Sequence, residues 1–284
     1  MNFHQKPITH VGHVKIKVSN LERSLKFYQE IIGFQILEKT ETTAKLTTDG
    51  KSSILSLEQP KIVTPKMGRT TGLYHFAILL PTPTDLAHFT IHLVENNIRF
   101  GASDHYVSEA LYLDDPDGNG IEVYHDRDAS NWDWNGNHVA MTTEPLNFDR
   151  LLSTSLVPGR VWDKLPHNTV MGHIHLHVAD LRKTEEFYTK GLGFDVVLRY
   201  GPQALFVSDG KYHHHIGLNT WNGVGAPTPA ESSVGLDYFT LIYDNTVKLS
   251  QVVENLKAIG ATVSEENGYF VTKDPSENKI ILSI

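Results

Sequence analysis

The fold follows from the stretch "GHVKIKVSNLERSLKFYQEIIGF", residues 12–34, because the chain repeats it as "GHIHLHVADLRKTEEFYTKGLGF" at residues 172–194. Each copy begins with alternating apolar residues, which predicts a half-buried β-strand. Apolar residues at helical spacing follow, which predicts a helix packed on that strand. In the first copy Ser19 or Asn20 can cap the helix and Gly33 can end it. The chain is therefore an internal duplication.

Two further similarities show that each half of the chain has two parts. "GLYHF" at residues 72–76 corresponds to "GLDYF" at residues 235–239, and the turn at Asp115-Pro116 corresponds to the turn at Asp274-Pro275. The patterns around them predict a strand, a helix and three more strands (βαβββ) four times in succession. We therefore expect an α+β fold of four βαβββ modules in two domains. The predicted boundaries are 8–127 for the N-terminal domain, 128–169 for a linker with a short helix at Asn147–Leu152, and 170–284 for the C-terminal domain.

Composition excludes several classes of protein and site. The 284 residues include no cysteine, so disulfides, thiolate metal sites and cysteine nucleophiles are excluded. A net charge of −8 without a basic patch argues against nucleic acid or an anionic membrane as a partner. The longest apolar runs, such as "FAILL", are too short to cross a membrane, and the start "MNFHQKPITH" is unlike a signal peptide. We expect a cytoplasmic protein whose metal, if it has one, is bound by histidines and carboxylates.

The stretch "EALYLDDPDGNGIEVYHDR", residues 109–127, contains a carboxylate in an unfavourable place. Ile121 and Val123 suit a half-buried strand, but Glu122 between them does not unless a positive partner is present. The corresponding strand near the C-terminus has Ile281 at this position. The difference indicates a function for Glu122 that its counterpart lacks.

Together, "GHVxxxVxxLxxSxxFYxxxxGF", a histidine at the start of the second module and "DPDGNGIEVY" resemble the vicinal oxygen chelate superfamily. This superfamily includes glyoxalase I, the fosfomycin- and bleomycin-resistance proteins and the extradiol ring-cleaving dioxygenases. The four-module layout is most similar to bacterial proteins of the catechol 2,3-dioxygenase type. The resemblance implies that each domain is an open cup-shaped mixed β-sheet with helices outside and that a metal lies within the cup.

The resemblance also implies three metal ligands, His13, His75 and Glu122. Two imidazoles and one carboxylate form a facial set that suits Fe(II) and leaves positions open, with Mn(II) or another divalent metal as alternatives. The implied substrates are a small aromatic diol and O2. Taken singly, each histidine would more often be a hydrogen-bonded strand residue than a metal ligand, and Glu122 could pair with Lys15 or Lys17.

Two more residues belong to the expected site. "DHYVSEALY" is similar to the "H-x-V-S-x-A-x-Y" stretch of the dioxygenases, which implies that His105 and Tyr112 bind substrate oxygens and help to move protons. The ordinary alternative is a loop histidine and a core tyrosine. The dioxygenases usually have a further acid–base histidine late in the first module of the metal domain, and Ser52–Glu58 contains none.

The C-terminal domain is rich in histidine but lacks counterparts of two expected ligands, because Tyr238 replaces His75 and Ile281 replaces Glu122. We therefore expect its metal set to be incomplete and favour a structural role for its histidines. Binding of a fortuitous metal or of substrate across the domain junction are the alternatives. The histidines in question are His173, His175, His177, His213, His214 and His215.

The expected function is a metal-dependent extradiol dioxygenase acting on a catechol or hydroquinone-type ring. One alternative is a glyoxalase I-like lyase with Glu58 as an additional ligand, or a thiol transferase of the fosfomycin-resistance kind. Another is a non-catalytic protein that binds an aromatic compound. Assembly into a homo-oligomer is left open by the sequence.

Overall fold

A computed structural model describes residues 2–155 and 162–284. Residues 156–161 of the predicted linker lie outside this part of the chain. The linker contains a short 3-10 turn (Ala129–Asn131), the two-residue strands β9 (Trp134–Asn135) and β10 (His138–Val139), and helix α3 (Phe148–Ser153). Helix α3 confirms the predicted short helix, and the side chain of Asn147 caps it by accepting the backbone N–H of Arg150.

All four βαβββ modules are present. Modules 1 and 2 comprise β1 (His10–Lys17), α1 (Leu21–Phe27), β2 (Gln35–Lys39), β3 (Thr43–Thr47), β4 (Ser53–Glu58), β5 (Gly72–Leu79), α2 (Pro83–Glu95), β6 (Gly101–Asp104), β7 (Ser108–Asp114) and β8 (Gly120–Asp126). Modules 3 and 4 comprise β11 (Val170–His177), α4 (Leu181–Glu186), β12 (Asp195–Tyr200), β13 (Ala204–Ser208), β14 (Ile216–Asn219), β15 (Gly235–Ile242), α5 (Thr246–Ala258), β16 (Val263–Glu266), β17 (Tyr269–Lys273) and β18 (Lys279–Ser283). Helices α1 and α4 continue as π-type turns at Tyr28–Ile32 and Phe187–Gly191.

The repeated Phe-Tyr and Asp-Pro motifs contact each other. Tyr28 donates a hydrogen bond of 3.0 Å to Asp115, and Tyr188 donates one of 3.2 Å to Asp274. The same carboxylate of Asp115 also accepts the backbone N–H of Asn119 and thereby closes the turn before β8. Each bond joins the helix of one module to the turn of the next, which explains why both motifs recur in both halves.

The modules form two eight-stranded mixed sheets. One sheet, here named the 1–4 sheet because it combines modules 1 and 4, has the order β16-β17-β18-β15-β1-β4-β3-β2. The other, the 2–3 sheet, has the order β12-β13-β14-β11-β5-β8-β7-β6. Four modules in two mixed sheets confirm the predicted fold class.

The expected partnership of modules is different from the observed one. We expected modules 1 and 2 to share one cup and modules 3 and 4 the other, but β1 pairs antiparallel with β15 and β5 pairs antiparallel with β11. The first strands of modules have the same kind of alternating pattern, so that pattern alone allows either partnership. Contacts between β1 and β11 bring the two sheets together around a shared apolar core.

Of the helices within residues 2–155 and 162–284, none has the length and apolar character needed to span a membrane.

Candidate active site

Three neighbouring strands of the 2–3 sheet, β11, β5 and β8, bring a histidine–glutamate–histidine group together. His173 on β11 and Glu122 on β8 are both register partners of Ala77 on β5 and therefore lie on either side of it. His75 is two residues before Ala77 and so projects from the same face. The short, fully buried side chain of Ala77 leaves space for the three longer ones. One ligand atom from each of His75, Glu122 and His173 lies within 4.8 Å of the other two.

The hydrogen bonds of this group are incomplete in a way that fits a divalent metal. His173 Nε2 and His75 Nε2 each lie 3.1 Å from Glu122 Oε2. The His173 contact has the geometry of a hydrogen bond, but His75 Nε2 has no hydrogen-bond partner among the described residues although it is buried. A buried polar atom normally finds a partner. Two imidazole nitrogens and a carboxylate oxygen that converge in this manner are a suitable donor set for a divalent cation.

The environment keeps Glu122 in the charged form that a metal requires. Burial raises the pKa of this carboxyl, but the neighbouring His173 and His75 outweigh burial and hold the pKa well below its usual range. Burial also lowers the pKa of His173, which favours the neutral imidazole that binds metals.

His13, which we predicted as the third ligand, is not part of the group that the structure brings together. It lies on β1 in the 1–4 sheet, where its Nε2 forms a hydrogen bond of 2.8 Å with Ser56 and its ring packs on Tyr238. His173, its counterpart in the repeat, occupies the third position, because module 2 pairs with module 3. The histidine–glutamate–histidine group therefore combines residues from both halves of the chain.

The group opens onto a cavity of about 280 Å³. All the predicted site residues except His13 line this cavity, so the structure brings His75, His105, Tyr112 and Glu122 together. Its remaining walls are mainly aromatic and aliphatic. The other lining residues are Tyr74, Ser103, Met141, Thr142, Thr143, His175, Leu198, Tyr200, Phe206, His214 and Trp221.

Tyr112 and His105 form a hydrogen-bonded pair at the edge of the cavity. Tyr112 on β7 is the register partner of Glu122, and its hydroxyl is 2.6 Å from His105 Nε2. His105 Nδ1 donates to the carbonyl of Thr142 at 2.5 Å, which leaves Nε2 to accept the tyrosine hydroxyl. Burial and the charge of Glu122 raise the pKa of Tyr112 well above its usual value, and the hydroxyl keeps its proton.

Three of the C-terminal histidines lie at the candidate site, although we favoured a structural role for them. His173 belongs to the histidine–glutamate–histidine group, and His175 and His214 line the cavity. His215 does have a structural contact, since its Nε2 donates to the carbonyl of Phe3 at 3.1 Å. Burial and the neighbouring histidines lower the pKa of His214 well below its usual value, so this ring is neutral.

Sequence reasoning favoured a structural role for His214 and missed the part of the linker that closes the cavity. The segment Ser52–Glu58, where the resemblance implies an additional acid–base histidine, lies in the 1–4 sheet. The equivalent segment of the 2–3 sheet ends module 3 and includes His214. Met141, Thr142 and Thr143 of the linker also line the cavity, and no motif marks them. Backbone pairing between Asp104 and Glu144 fixes this part of the linker beside β6.

Comparisons with known proteins agree with this architecture. The family model for the glyoxalase/bleomycin resistance protein/dioxygenase superfamily matches residues 10–123 and 170–282. The catechol-2,3-dioxygenase of Bacillus subtilis (strain 168) is 48% identical over 271 residues, which are 94% of this chain and 94% of that protein. A solved glyoxalase I mutant (E144Q) from Zea mays superposes with a TM-score of 0.59 at 15% identity, covering 96% of this chain and 93% of that one. A solved structure from Bacillus subtilis subsp. subtilis str. 168 gives a TM-score of 0.67 at 14% identity, covering 98% of this chain and 86% of that one. The chain belongs to the glyoxalase/bleomycin resistance protein/dioxygenase superfamily.

Proposed function

We propose that the protein is an extradiol dioxygenase that cleaves the ring of a catechol or hydroquinone-type aromatic with O2. The observation that carries the proposal is the buried histidine–glutamate–histidine group with one side open to a largely aromatic cavity. The relative in Bacillus subtilis, a catechol-2,3-dioxygenase at 48% identity over nearly the full chain, supports the same reaction.

In this proposal His75, Glu122 and His173 hold Fe(II), and Mn(II) is the alternative that the same donor set would accept. Bound Fe(II) would supply the positions at which the aromatic diol and O2 meet, together with the redox chemistry of ring opening. The protein's part is to fix three donors on adjacent strands and to keep the opposite side free. The donors fit this role because the ligand group contains a single carboxylate and opens toward the cavity.

Three side chains along the cavity are suited to handling the protons of a diol. Tyr112 carries a proton on its hydroxyl, which it donates to His105 Nε2 in the absence of substrate. A substrate oxygen at this position can accept that proton's hydrogen bond instead. His214, a neutral histidine on the same cavity, can accept a proton from a substrate hydroxyl. We therefore assign Tyr112, His105 and His214 to binding the diol and moving its protons.

The cavity walls favour an uncharged aromatic substrate. Phe206, Leu198 and Met141 provide an apolar surface, and Tyr74 and Trp221 pack edge to face with ring centroids 5.2 Å apart. Among the lining residues that the structure describes there is no lysine or arginine to pair with a carboxylate. A catechol with hydrogen or an alkyl group on the ring fits better than one with a carboxylate substituent.

The lyase alternative depended on Glu58 as an additional ligand. Glu58 lies on β4 in the 1–4 sheet, where it is ion-paired with Lys15. The register of the 2–3 sheet places Asn219 at the equivalent position, next to His177. A fourth ligand of the glyoxalase kind is therefore not provided by either residue.

The test is oxygen consumption by protein loaded anaerobically with Fe(II) and then mixed with catechol, 4-methylcatechol or 3,4-dihydroxybenzoate in air. We expect oxygen uptake coupled to a yellow ring-opened product with the first two compounds and much slower uptake with the third. Glu122→Ala should abolish both signals and lose iron, whereas Glu58→Ala, the matched control in the other sheet, should retain both. Absence of oxygen uptake by iron-containing protein with several catechols and hydroquinones would refute the proposal.

A further inference from the structure

We propose that Asp126 and His213 are positioning residues that fix the tautomer of His214, so that His214 presents an unprotonated Nε2 to the cavity. The tautomer assignment rests on two hydrogen bonds and on the acceptor character of the Asp126 carboxylate, and it does not depend on the reaction. Its importance for catalysis rests on the proposed function.

The first contact is between Asp126 and His213. Every second side chain of a strand projects from the same face, so Glu122, Tyr124 and Asp126 of β8 share one face. The strand that carries Glu122 therefore also directs Asp126 toward module 3. His213 Nε2 lies 2.8 Å from Asp126 Oδ1. An ionised carboxylate only accepts hydrogen bonds, so His213 carries its proton on Nε2 and donates it to Asp126.

The second contact, between His213 and His214, fixes which nitrogen of His214 carries the proton. His213 Nδ1 lies 2.8 Å from His214 Nδ1, and a hydrogen bond between two nitrogens needs one donor and one acceptor. With its N–H on Nε2 directed at Asp126, His213 accepts at Nδ1, and His214 donates from its own Nδ1. Neutral His214 then has a free lone pair at Nε2. His214 lines the cavity, and this nitrogen has no hydrogen-bond partner among the described residues.

The surroundings hold the two rings in these positions. His213 is completely buried, with the ring of Tyr212 at a centroid distance of 4.0 Å and that of Trp132 at 5.2 Å. The ring of His214 lies 4.1 Å from that of His173. These contacts hold the ring planes, and turning either ring over would put carbon where a hydrogen-bonding nitrogen now lies. The direction of the hydrogen bonds therefore depends on Asp126 being an acceptor.

The tautomer of His214 determines whether it can take a proton from a diol substrate. A bare Nε2 accepts a hydrogen bond from a diol hydroxyl and can take its proton, whereas an Nε2–H cannot. The isosteric change Asp126→Asn tests this directly, because its amide NH2 can donate to His213 Nε2. His213 would then carry its proton on Nδ1 and donate to His214, and His214 would present Nε2–H to the cavity, which is the wrong tautomer for a base.

The first readout does not depend on activity. The ring nitrogens of ¹⁵N-histidine in Zn(II)-loaded protein, with His214 assigned from the spectrum of His214→Gln, report which nitrogen carries the proton. We expect Nδ1–H and an unprotonated Nε2 on His214, and the reverse in Asp126→Asn. An Nε2–H on His214 in the unaltered protein would overturn the proposal, and this spectrum is decisive even if Asp126→Asn does not fold.

The second readout is steady-state turnover of the Fe(II)-loaded protein. We expect Asp126→Asn to lower kcat by about 100-fold, in the range of general-base effects, with KM and iron content nearly unchanged. The matched control is Asp128→Asn, which removes a carboxylate that bonds Ser130 and should leave kcat unchanged. Unchanged kcat in Asp126→Asn would overturn the claim that Asp126 and His213 position His214 for catalysis. An unaltered protein that shows no oxygen uptake would instead refute the proposed function and leave the tautomer result standing.

Discussion

Among single residues, the difference between Glu122 and Ile281 distinguishes the sheet that holds the candidate metal-binding group from the sheet that does not. The 1–4 sheet has His13 where the 2–3 sheet has His173, but it has Tyr238 in place of His75 and Ile281 in place of Glu122. A buried carboxylate without a partner is costly, so a sheet that does not bind metal is more stable with an apolar residue there. The two sheets therefore show the same fold with and without a candidate metal site.

Tyr112 gives a prediction at this scale. Tyr112→Phe removes the hydroxyl that bonds His105 but none of the three ligands, so the protein should retain iron and lose about 10- to 100-fold in kcat. Measurement of kcat by oxygen uptake, with iron content in parallel, checks this. Tyr238→Phe in the 1–4 sheet is the control and should be nearly as active as the unaltered protein. Equal kcat for both variants would exclude a role of the Tyr112 hydroxyl in proton handling.

At the scale of elements, the close approach of β5 and β8 positions the ligands. Gly120 is the register partner of His75, and a Cβ at Gly120 would lie 2.1 Å from the carbonyl oxygen of Tyr74. Only glycine allows this separation of the two strands, because neighbouring backbone cannot move aside as a flexible side chain does. The distance between His75 and Glu122 thus depends on Gly120, which is not itself a member of the histidine–glutamate–histidine group.

Gly120→Ala should therefore weaken both the fold and metal binding. We expect about 1–3 kcal/mol loss in the free energy of unfolding, as for other overpacked sites, and faster loss of iron to a chelator. Gly101→Ala in β6 of the same sheet is the matched control, since its Cβ would meet Tyr112 Cβ at an ordinary 3.8 Å. Urea denaturation and chelator kinetics measure the two effects. If Gly120→Ala and Gly101→Ala had equal free energies of unfolding and lost iron at equal rates, the separation of β5 and β8 at Gly120 would not determine metal binding.

At the scale of the whole molecule, sequence predicted the modules but not their partners. The offset of 160 between Gly12 and Gly172 located the repeats, and Glu122, as a charge in an apolar strand, marked the site. The choice between His13 and His173 could not be made, because both open similar strands and the choice depends on whether β5 pairs with β1 or β11. Contacts between strands distant in sequence decide that question, and local patterns do not contain them.

The buried histidines should make the stability of the folded protein depend on pH. Burial lowers the pKa of His13 and His177 to about 4 and of His4 and His215 to about 3, from an ordinary value of 6.5. Below pH 6.5 the unfolded chain therefore binds protons that the folded chain does not bind. The free energy of unfolding should fall as the pH decreases from 6.5 toward 4, by up to about 1.4 kcal/mol per pH unit for each histidine.

His13→Asn tests this dependence away from the ligand group. Urea denaturation at pH 7, 6 and 5 in the presence of a chelator should show a shallower decline for this variant than for the unaltered protein. If the free energy of unfolding declined equally with pH in both proteins, burial of neutral His13 would not contribute to the pH dependence of stability.

The partnership of modules 2 and 3 is tested most directly by the iron content of two matched variants, His173→Ala and His13→Ala. The two histidines occupy equivalent repeat positions, and both variants would be loaded anaerobically with Fe(II), desalted and compared with unaltered protein by elemental analysis. His173→Ala should lose nearly all bound iron, because one of the three donors is absent. His13→Ala should retain it, because His13 lies in the 1–4 sheet and its Nε2 is hydrogen-bonded to Ser56 there. Loss of iron in His13→Ala with retention in His173→Ala would contradict the ligand group formed by His75, Glu122 and His173.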